Sequence, residues 1–160
     1  MKLPKVVWKL GWVSFFADVA SEMVYPLIPL FLTGPLGAPK AVLGLVEGVA
    51  EATVSFMKVW SGIGSDRRQK RKPYIVFGYG LSAIGKPILG IASIWPIALV
   101  ARGIDRVGKG LRTTARDALI ADAVEKEQRG SAFGVHRSLD TAGALVGVGV
   151  AALILALYGH

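Results

Sequence analysis

The chain contains five apolar segments, each long enough to cross a lipid bilayer as a helix. At a rise of about 1.5 Å per residue, roughly 20 residues span the ~30 Å of hydrocarbon. The segments are residues 10–32, 42–65, 74–94, 95–123 and 130–158. We therefore expect an all-α fold, a polytopic transmembrane helix bundle of five spans joined by short connections.

The composition fits such a bundle better than a soluble enzyme. Charged residues make up 19% of the chain, whereas soluble domains average about 25%. The chain has no cysteine, which excludes a disulfide framework and cysteine-based metal or redox sites. The sequence also has no recognisable Ser/His/Asp constellation or metal-ligand cluster, so we expect no enzyme activity, no cofactor and no metal.

The distribution of basic residues predicts the orientation in the membrane. If the spans alternate in direction, one side receives only Lys40 outside the spans. The other side receives Lys2, Lys5, Lys9, Arg67, Arg68, Lys70, Arg71, Lys72, Lys126 and Arg129. Because cytoplasmic loops carry the excess of Lys and Arg, we expect a cytoplasmic N-terminus, cytoplasmic loops at about residues 66–73 and 124–129, and residence in the cell (inner) membrane. Most of the net charge of +8 lies in these flanks, so nucleic acid is not an expected partner.

Ionisable residues also lie inside the spans, where each is costly unless it faces a partner or water. In the fourth segment they share one helical face, at 100° per residue. This face carries Arg102, Asp105, Arg106, Lys109, Arg112, Arg116 and Asp117. In the first segment, Asp18, Glu22 and Tyr25 share a face. Asp18 and Glu22 lie roughly 13–20 Å from one end, and Arg102 and Arg106 roughly 10–17 Å from the other, so the two sets overlap in depth.

This overlap predicts a hydrated site between the first and fourth helices. We expect the substrate or proton site to consist of Asp18, Glu22, Tyr25, Arg102, Asp105, Arg106 and Lys109. Its basic side chains suit an anionic or zwitterionic small solute, and a carboxylate that changes protonation there could couple transport to protons. The alternative is a set of structural ion pairs that hold the bundle together.

Four further groups of residues lie outside the predicted solute site. Glu47 and Glu51 lie one turn apart and fit either the site or a structural role. Lys58 and Lys86 are interpreted as side chains that extend to the membrane surface. His136 fits a proton relay less well than polar packing. Gly143 and Gly147 have the spacing that lets two helix backbones approach closely.

The segment from Gly62 to Lys72, Gly-Ile-Gly-Ser-Asp-Arg-Arg-Gln-Lys-Arg-Lys, resembles a loop of the major facilitator superfamily. In that family a Gly-x-x-x-Asp-Arg-x-Gly-Arg-Arg/Lys pattern joins helices two and three. Gln69 replaces the usual second glycine, and Gly64 replaces a common leucine. A second region, from Ala118 to Gly147, is similar to the passage from helix four to helix five. No proline follows Gly147, so the antiporter pattern of helix five is only partial.

The resemblance implies twelve helices in two halves, a central site of alternating exposure, and secondary transport such as efflux of a small solute. It also implies a cytoplasmic gate. The gate residues would be Gly62, Asp66, Arg67, Lys70, Arg71, Arg112, Arg116 and Asp122. Asp66 would face a helix N-terminus of the other half, and Arg67 would pair with Asp122.

With 160 residues and five expected spans, the chain corresponds to an N-terminal fragment of such a transporter. Its expected partners are the lipid bilayer and either a missing C-terminal half or a complementing chain. The alternative function is a non-transporting membrane scaffold or assembly subunit, stabilised by its internal ion pairs.

Overall fold

The computed structural model of the chain describes residues 3–158, which form helices and short connections without a β-strand. The helices are α1 (Lys5–Val24), α2 (Leu27–Thr33), α3 (Lys40–Arg68), α4 (Lys72–Gly90), α5 (Trp95–Asp122) and α6 (Arg129–Tyr158), with a 3₁₀ turn at Lys126–Gln128. The predicted all-α class is therefore confirmed.

Each long helix is long enough to cross a bilayer. By length and apolar composition, the described residues include two candidate membrane spans, Lys5–Thr33 and Lys126–Tyr158. The helices α3, α4 and α5 hold 29, 19 and 28 residues, so each extends about 28 Å or more. The helix α5 has the length of a span, but it carries a charged residue at nearly every turn of one face.

The first apolar segment, residues 10–32, contains two helices rather than one. The break falls at Tyr25 and Pro26, between α1 and α2. Proline lacks the N–H that would continue the helical ladder. The Tyr25 N–H still donates to the Ser21 carbonyl at 3.0 Å, so the helix ends within one residue of the proline.

The connection between α3 and α4 is short because Gln69 turns the chain sharply. Gln69 has φ of 51° and ψ of 28°, the left-handed conformation that glycine adopts most easily. Its N–H donates to the Asp66 carbonyl at 3.3 Å, and its side-chain amide donates to the same oxygen at 2.8 Å. The departure of this sequence from the family pattern thus falls on the position whose backbone favours glycine.

The chain forms two compact units. The first contains the residues up to Leu30 and those from Ile120 onwards, and the second contains Phe31–Leu119. In the first unit α1 packs on α6. A side-chain carbon added at Gly143 would lie 2.5 Å from the Phe15 carbonyl oxygen, and one at Gly147 would lie 2.6 Å from that of Val19. The two backbones therefore approach closely at these two glycines.

In the second unit α5 packs against both α3 and α4. A side-chain carbon at Gly85 of α4 would lie 2.9 Å from the backbone nitrogen of Asp105 on α5. Hydroxyl groups then bridge the backbones: Ser82 of α4 donates to the Asp105 carbonyl at 3.1 Å, and Ser61 of α3 donates to the Leu111 carbonyl at 2.6 Å. This close packing fixes the rotation of α5 about its axis, and with it the direction of the charged face.

Candidate functional site

The charged face of α5 is largely buried within the structure. Arg102 and Arg106 are each 5% exposed, and Arg112 and Arg116 are similarly buried. Asp105 is 9% exposed on the same face. A buried guanidinium is stable only with acceptors around it, because an unpaired buried charge is strongly destabilising. The stability of this face therefore depends on the carboxylates that surround it.

Two carboxylates of α3 pair with two arginines of α5. Arg102 Nη2 lies 2.8 Å from both Oε1 and Oε2 of Glu47. One turn further along, Arg106 Nη1 lies 3.5 Å from Glu51 Oε1. The two pairs form a ladder because Glu47 and Glu51 are four residues apart on α3, as Arg102 and Arg106 are on α5.

A third pair joins α5 to α4. Lys86 Nζ lies 3.0 Å from Asp105 Oδ1, and it also donates to the Ser82 carbonyl at 3.3 Å. Lys86 therefore has an ion-pair partner within the second unit, in place of the expected extension to the membrane surface. With the two α3 pairs included, three acidic and three basic side chains surround the N-terminal half of α5, and their charges cancel.

The other half of α5 carries an excess of positive charge. The Arg112 guanidinium carbon lies 4.4 Å from the centre of the Tyr79 ring, a cation–π distance. Arg116 bonds to its neighbour Asp117 at 3.0 Å. Lys109 lies between the two halves and is partly buried. An anionic or zwitterionic group would meet favourable charge along this stretch.

The predicted site residues divide between the two units. Arg102, Asp105, Arg106 and Lys109 lie on α5 in the second unit. The first unit holds the α1 residues Asp18 and Glu22, which are half-buried, and Tyr25, which is 46% exposed. A combined site of α1 and α5 residues stays a prediction.

Four of the predicted gate residues lie where α3 ends and α4 begins, whereas Arg112, Arg116 and Asp122 lie on α5. Asp66 pairs with Arg71, whose guanidinium also donates to Ser65 Oγ at 2.9 Å. Arg67 and Lys70 are exposed. Gly62 lies beside α5, since a side-chain carbon there would stand 3.1 Å from Thr114 Cγ2. Asp122 belongs to the first unit and Arg67 to the second, so their pairing stays a prediction.

The two interpretations of Glu47 and Glu51 are equally compatible with their own helix, but the sequence carries a signal for their pairing with α5. The helices α3 and α5 begin at Lys40 and Trp95. Glu47 and Arg102 each lie about 10 Å along their helices, and Glu51 and Arg106 each about 16 Å. If both helices start on the same side of the membrane, these depths match, and opposite charges at matched depth indicate pairing.

A separate titratable pair lies in the first unit. His136 is fully buried, and its Nδ1 lies 3.5 Å from Asp140 Oδ2 one turn along α6. Arg137 approaches the same carboxylate oxygen at 3.8 Å. Among the described residues no group of three or more metal-ligating side chains occurs.

Comparisons with known proteins show which family the chain belongs to. Residues 10–159 match the family model described as Major Facilitator Superfamily. An "uncharacterized MFS-type transporter" of Methanocaldococcus jannaschii is 39% identical over 146 residues, which cover 91% of this chain and 36% of that protein. The "inner membrane transport protein YajR" of Escherichia coli is 31% identical over 130 residues, 81% of this chain and 28% of that protein.

A "multidrug resistance protein MdtH" of Salmonella newport is 28% identical over 125 residues, 78% of this chain and 31% of that protein. The chain therefore spans a little over a third of the length of the first of these relatives, and less of the other two. The match to the family model covers nearly the whole chain, and the relative of Methanocaldococcus jannaschii aligns with 91% of it. The chain belongs to the Major Facilitator Superfamily.

Proposed function

We propose that the protein is a secondary active transporter that moves a small solute across the membrane by alternating access. In this proposal the charged face of α5 is part of the wall of the solute pathway, and the chain supplies the first helices of the transporter. The relatives named as transport proteins support a transport function for the whole protein.

The observation that carries the proposal is the ladder of ion pairs between α3 and α5, in which both arginines are buried. Ionisable residues within membrane spans are expensive, and they usually face a pathway or one another. Arg102 and Arg106 pair with carboxylates that are themselves 25% and 64% exposed on their side chains. Pairs with one accessible partner can exchange that partner for a solute group, which a fully enclosed pair cannot do.

We propose an anionic or zwitterionic solute. Lys109, Arg112 and Arg116 extend the positive charge beyond the balanced pairs, with Asp117 as the acid beside Arg116. Protonation of Asp18 or Glu22 is our proposal for the coupling step. A carboxylate that gains a proton loses its attraction to a nearby cation, which gives the proton gradient a means of changing the charge of the pathway.

The orientation belongs to the same proposal. We place the N-terminus and the α3–α4 connection on the cytoplasmic side of the inner membrane, because of their Lys and Arg content. The Asp66–Arg71 pair at this connection then lies where a cytoplasmic gate would open and close.

The test is transport by the complete protein in proteoliposomes, with a panel of anionic and zwitterionic solutes and an imposed proton gradient. We expect Arg106→Gln to reduce transport at least tenfold and Asp18→Asn to remove its dependence on the gradient. Lys40→Gln serves as the control, because it removes one charge outside the spans. If Arg106→Gln and Asp18→Asn both transport at the rate of the control, the proposed pathway is wrong.

The second candidate function is a non-transporting membrane scaffold. The bonds of Arg102 to Glu47 and of Lys86 to Asp105 favour it, because these charges find partners within a single unit. A scaffold predicts a stable, monodisperse oligomer whose assembly depends on these ion pairs, and it predicts no solute flux.

A further inference from the structure

A groove lies where the end of α3 meets the start of α4, and the proposed function does not use it. Its volume is about 220 Å³, and Trp60, Arg68, Pro73, Tyr74, Phe77 and Leu111 line it. Pockets that enclose drug-sized ligands measure roughly 300–1,000 Å³. The groove therefore suits part of an elongated molecule whose remainder lies outside it.

The lining changes in character along the groove. Trp60 and Phe77 are 55% and 63% exposed and present aromatic surface. Arg68 lies two turns beyond Trp60 on α3, a rise of about 12 Å, and is exposed. One end is thus apolar and the other is cationic, which is the pattern that an amphiphile with an anionic head requires.

A contact between two aromatic rings shapes the apolar part of the groove. The rings of Trp60 and Tyr74 meet edge to face, with centroids 6.3 Å apart. The Tyr74 hydroxyl occupies the space beside Gly64, since a side-chain carbon there would lie 2.6 Å from that oxygen. A leucine at position 64 would displace the ring, so the glycine in this sequence is what lets Tyr74 form a wall of the groove.

Electrostatics at the cationic end favour an anion. The connection carries Arg67, Arg68, Lys70, Arg71 and Lys72 against Asp66. Asp66 pairs with Arg71, which leaves the other four positive charges in excess. The first turn of α4, which contributes Pro73 and Tyr74, adds the positive end of a helix dipole.

We propose that this groove binds an anionic phospholipid of the surrounding bilayer. The phosphate interacts with Arg68 and the start of α4, and one acyl chain lies against Trp60 and Phe77. Trp and Tyr side chains are typical of the membrane interface, and basic pockets between membrane helices bind anionic headgroups. The site is separate from the charged face of α5, so it does not depend on the transport proposal.

The test measures lipid binding to the complete protein in detergent, freed of native lipid, by native mass spectrometry. Phosphatidylglycerol and phosphatidylcholine with the same acyl chains are the probes. We expect the first phosphatidylglycerol to bind about fivefold more tightly, equivalent to about 1 kcal/mol per basic contact. Arg68→Gln removes this preference. Lys72→Gln, which takes one charge from the same connection but not from the groove lining, changes it less than twofold.

Two further arms identify the part of the lipid that is recognised. Phe77→Ala, a change at an exposed side chain, weakens binding of both lipids equally and leaves the preference intact. Glycerol phosphate fails to displace phosphatidylglycerol at equal concentration. Equal losses in Arg68→Gln and Lys72→Gln would mean diffuse attraction to the connection and would overturn the proposal. Displacement by glycerol phosphate with the potency of the lipid would overturn it as well, in favour of a soluble phosphate site.

Discussion

At the scale of single residues, the contact between Arg102 and Glu47 illustrates how a charge is accommodated inside a helical span. The Arg102 side chain is 6% exposed and the Glu47 side chain 25% exposed. Desolvating both groups is costly, and the two short bonds from one guanidinium nitrogen offset that cost only while both partners are present. The pair therefore contributes more to keeping the two helices in register than to net stability.

Removing one partner of this pair should destabilise the protein more than removing both. We expect Glu47→Gln to lower stability by about 3 kcal/mol, a fall of roughly 6–12 °C in Tm, because it removes the Glu47 carboxylate from Arg102. The double variant Glu47→Gln/Arg102→Gln should recover at least half of that loss. Thermal unfolding of the purified protein in detergent measures both, and a double variant that unfolds at the sum of the two single losses would contradict the pairing.

The backbone conformation of Gln69 leads to a second prediction for a single residue. Its left-handed backbone, at φ of 51°, costs a non-glycine residue about 1–2 kcal/mol. Gln69→Gly removes this cost, loses an exposed hydrogen bond of roughly 0.5–1 kcal/mol and adds freedom to the unfolded chain, so a net gain of at most about 1 kcal/mol follows. Lys70→Gly is the matched control, because Lys70 has negative φ and glycine there only adds freedom to the unfolded chain. A Tm for Gln69→Gly below that of Lys70→Gly would refute the backbone explanation.

At the scale of the elements, α4 and α5 pack through residues without side chains. A side-chain carbon at Gly108 would lie 2.8 Å from the backbone nitrogen of Ser82 and closer still to the Gly78 carbonyl. Backbone atoms cannot rotate away as a flexible side chain can, so any larger residue has to push the helices apart. The bond between Lys86 and Asp105 depends on this close approach.

The packing predicts opposite effects for two glycines of the same helix. Gly108→Ala should destabilise the protein by about 1–3 kcal/mol through overpacking. Gly103→Ala should be neutral or stabilising by up to about 1 kcal/mol, because nothing lies within 4 Å of its added carbon and alanine favours the helix. Comparing the folded yield and Tm of the two variants tests this, and equal behaviour would mean that α4 and α5 are not in backbone contact.

The same elements indicate what helical periodicity can and cannot predict. The phase of Arg102, Arg106 and Lys109 predicts one charged face on α5, and the structure has that face. Periodicity describes a helix by itself, however, and does not say which neighbour each face meets. The roles of Glu47 and Lys86 therefore required the packing of α3 and α4 on α5, which the short connections alone do not determine.

At the scale of the whole molecule, the confirmed predictions are those that depend on long stretches of sequence. Five apolar segments predicted a transmembrane helical bundle, and the match to the Major Facilitator Superfamily over residues 10–159 confirms that class. The Asp66-Arg67 motif predicted the same family. The break at Pro26 was missed, because the apolar character of residues 10–32 continues through it.

The orientation of the chain in the membrane is a property of the whole molecule. Single introduced cysteines can measure it, because the chain contains no cysteine. In a background without other reactive thiols, we expect Lys40→Cys to react with a membrane-impermeant maleimide in intact cells. Lys70→Cys should react only after the membrane is permeabilised, because the basic connection belongs inside. The reverse pattern would invert the proposed topology.

The measurement that tests the central claim most directly is the accessibility of Lys109→Cys, at the middle of α5. Val107→Cys lies at nearly the same depth on the apolar face and is the control. Applied separately to each side of sealed vesicles, an impermeant thiol reagent should label Lys109→Cys from both sides and Val107→Cys from neither, because a pathway of alternating exposure opens to each side in turn. Failure to label Lys109→Cys from either side, in a folded protein, would contradict a solute pathway along this face and leave the charged face with a structural role.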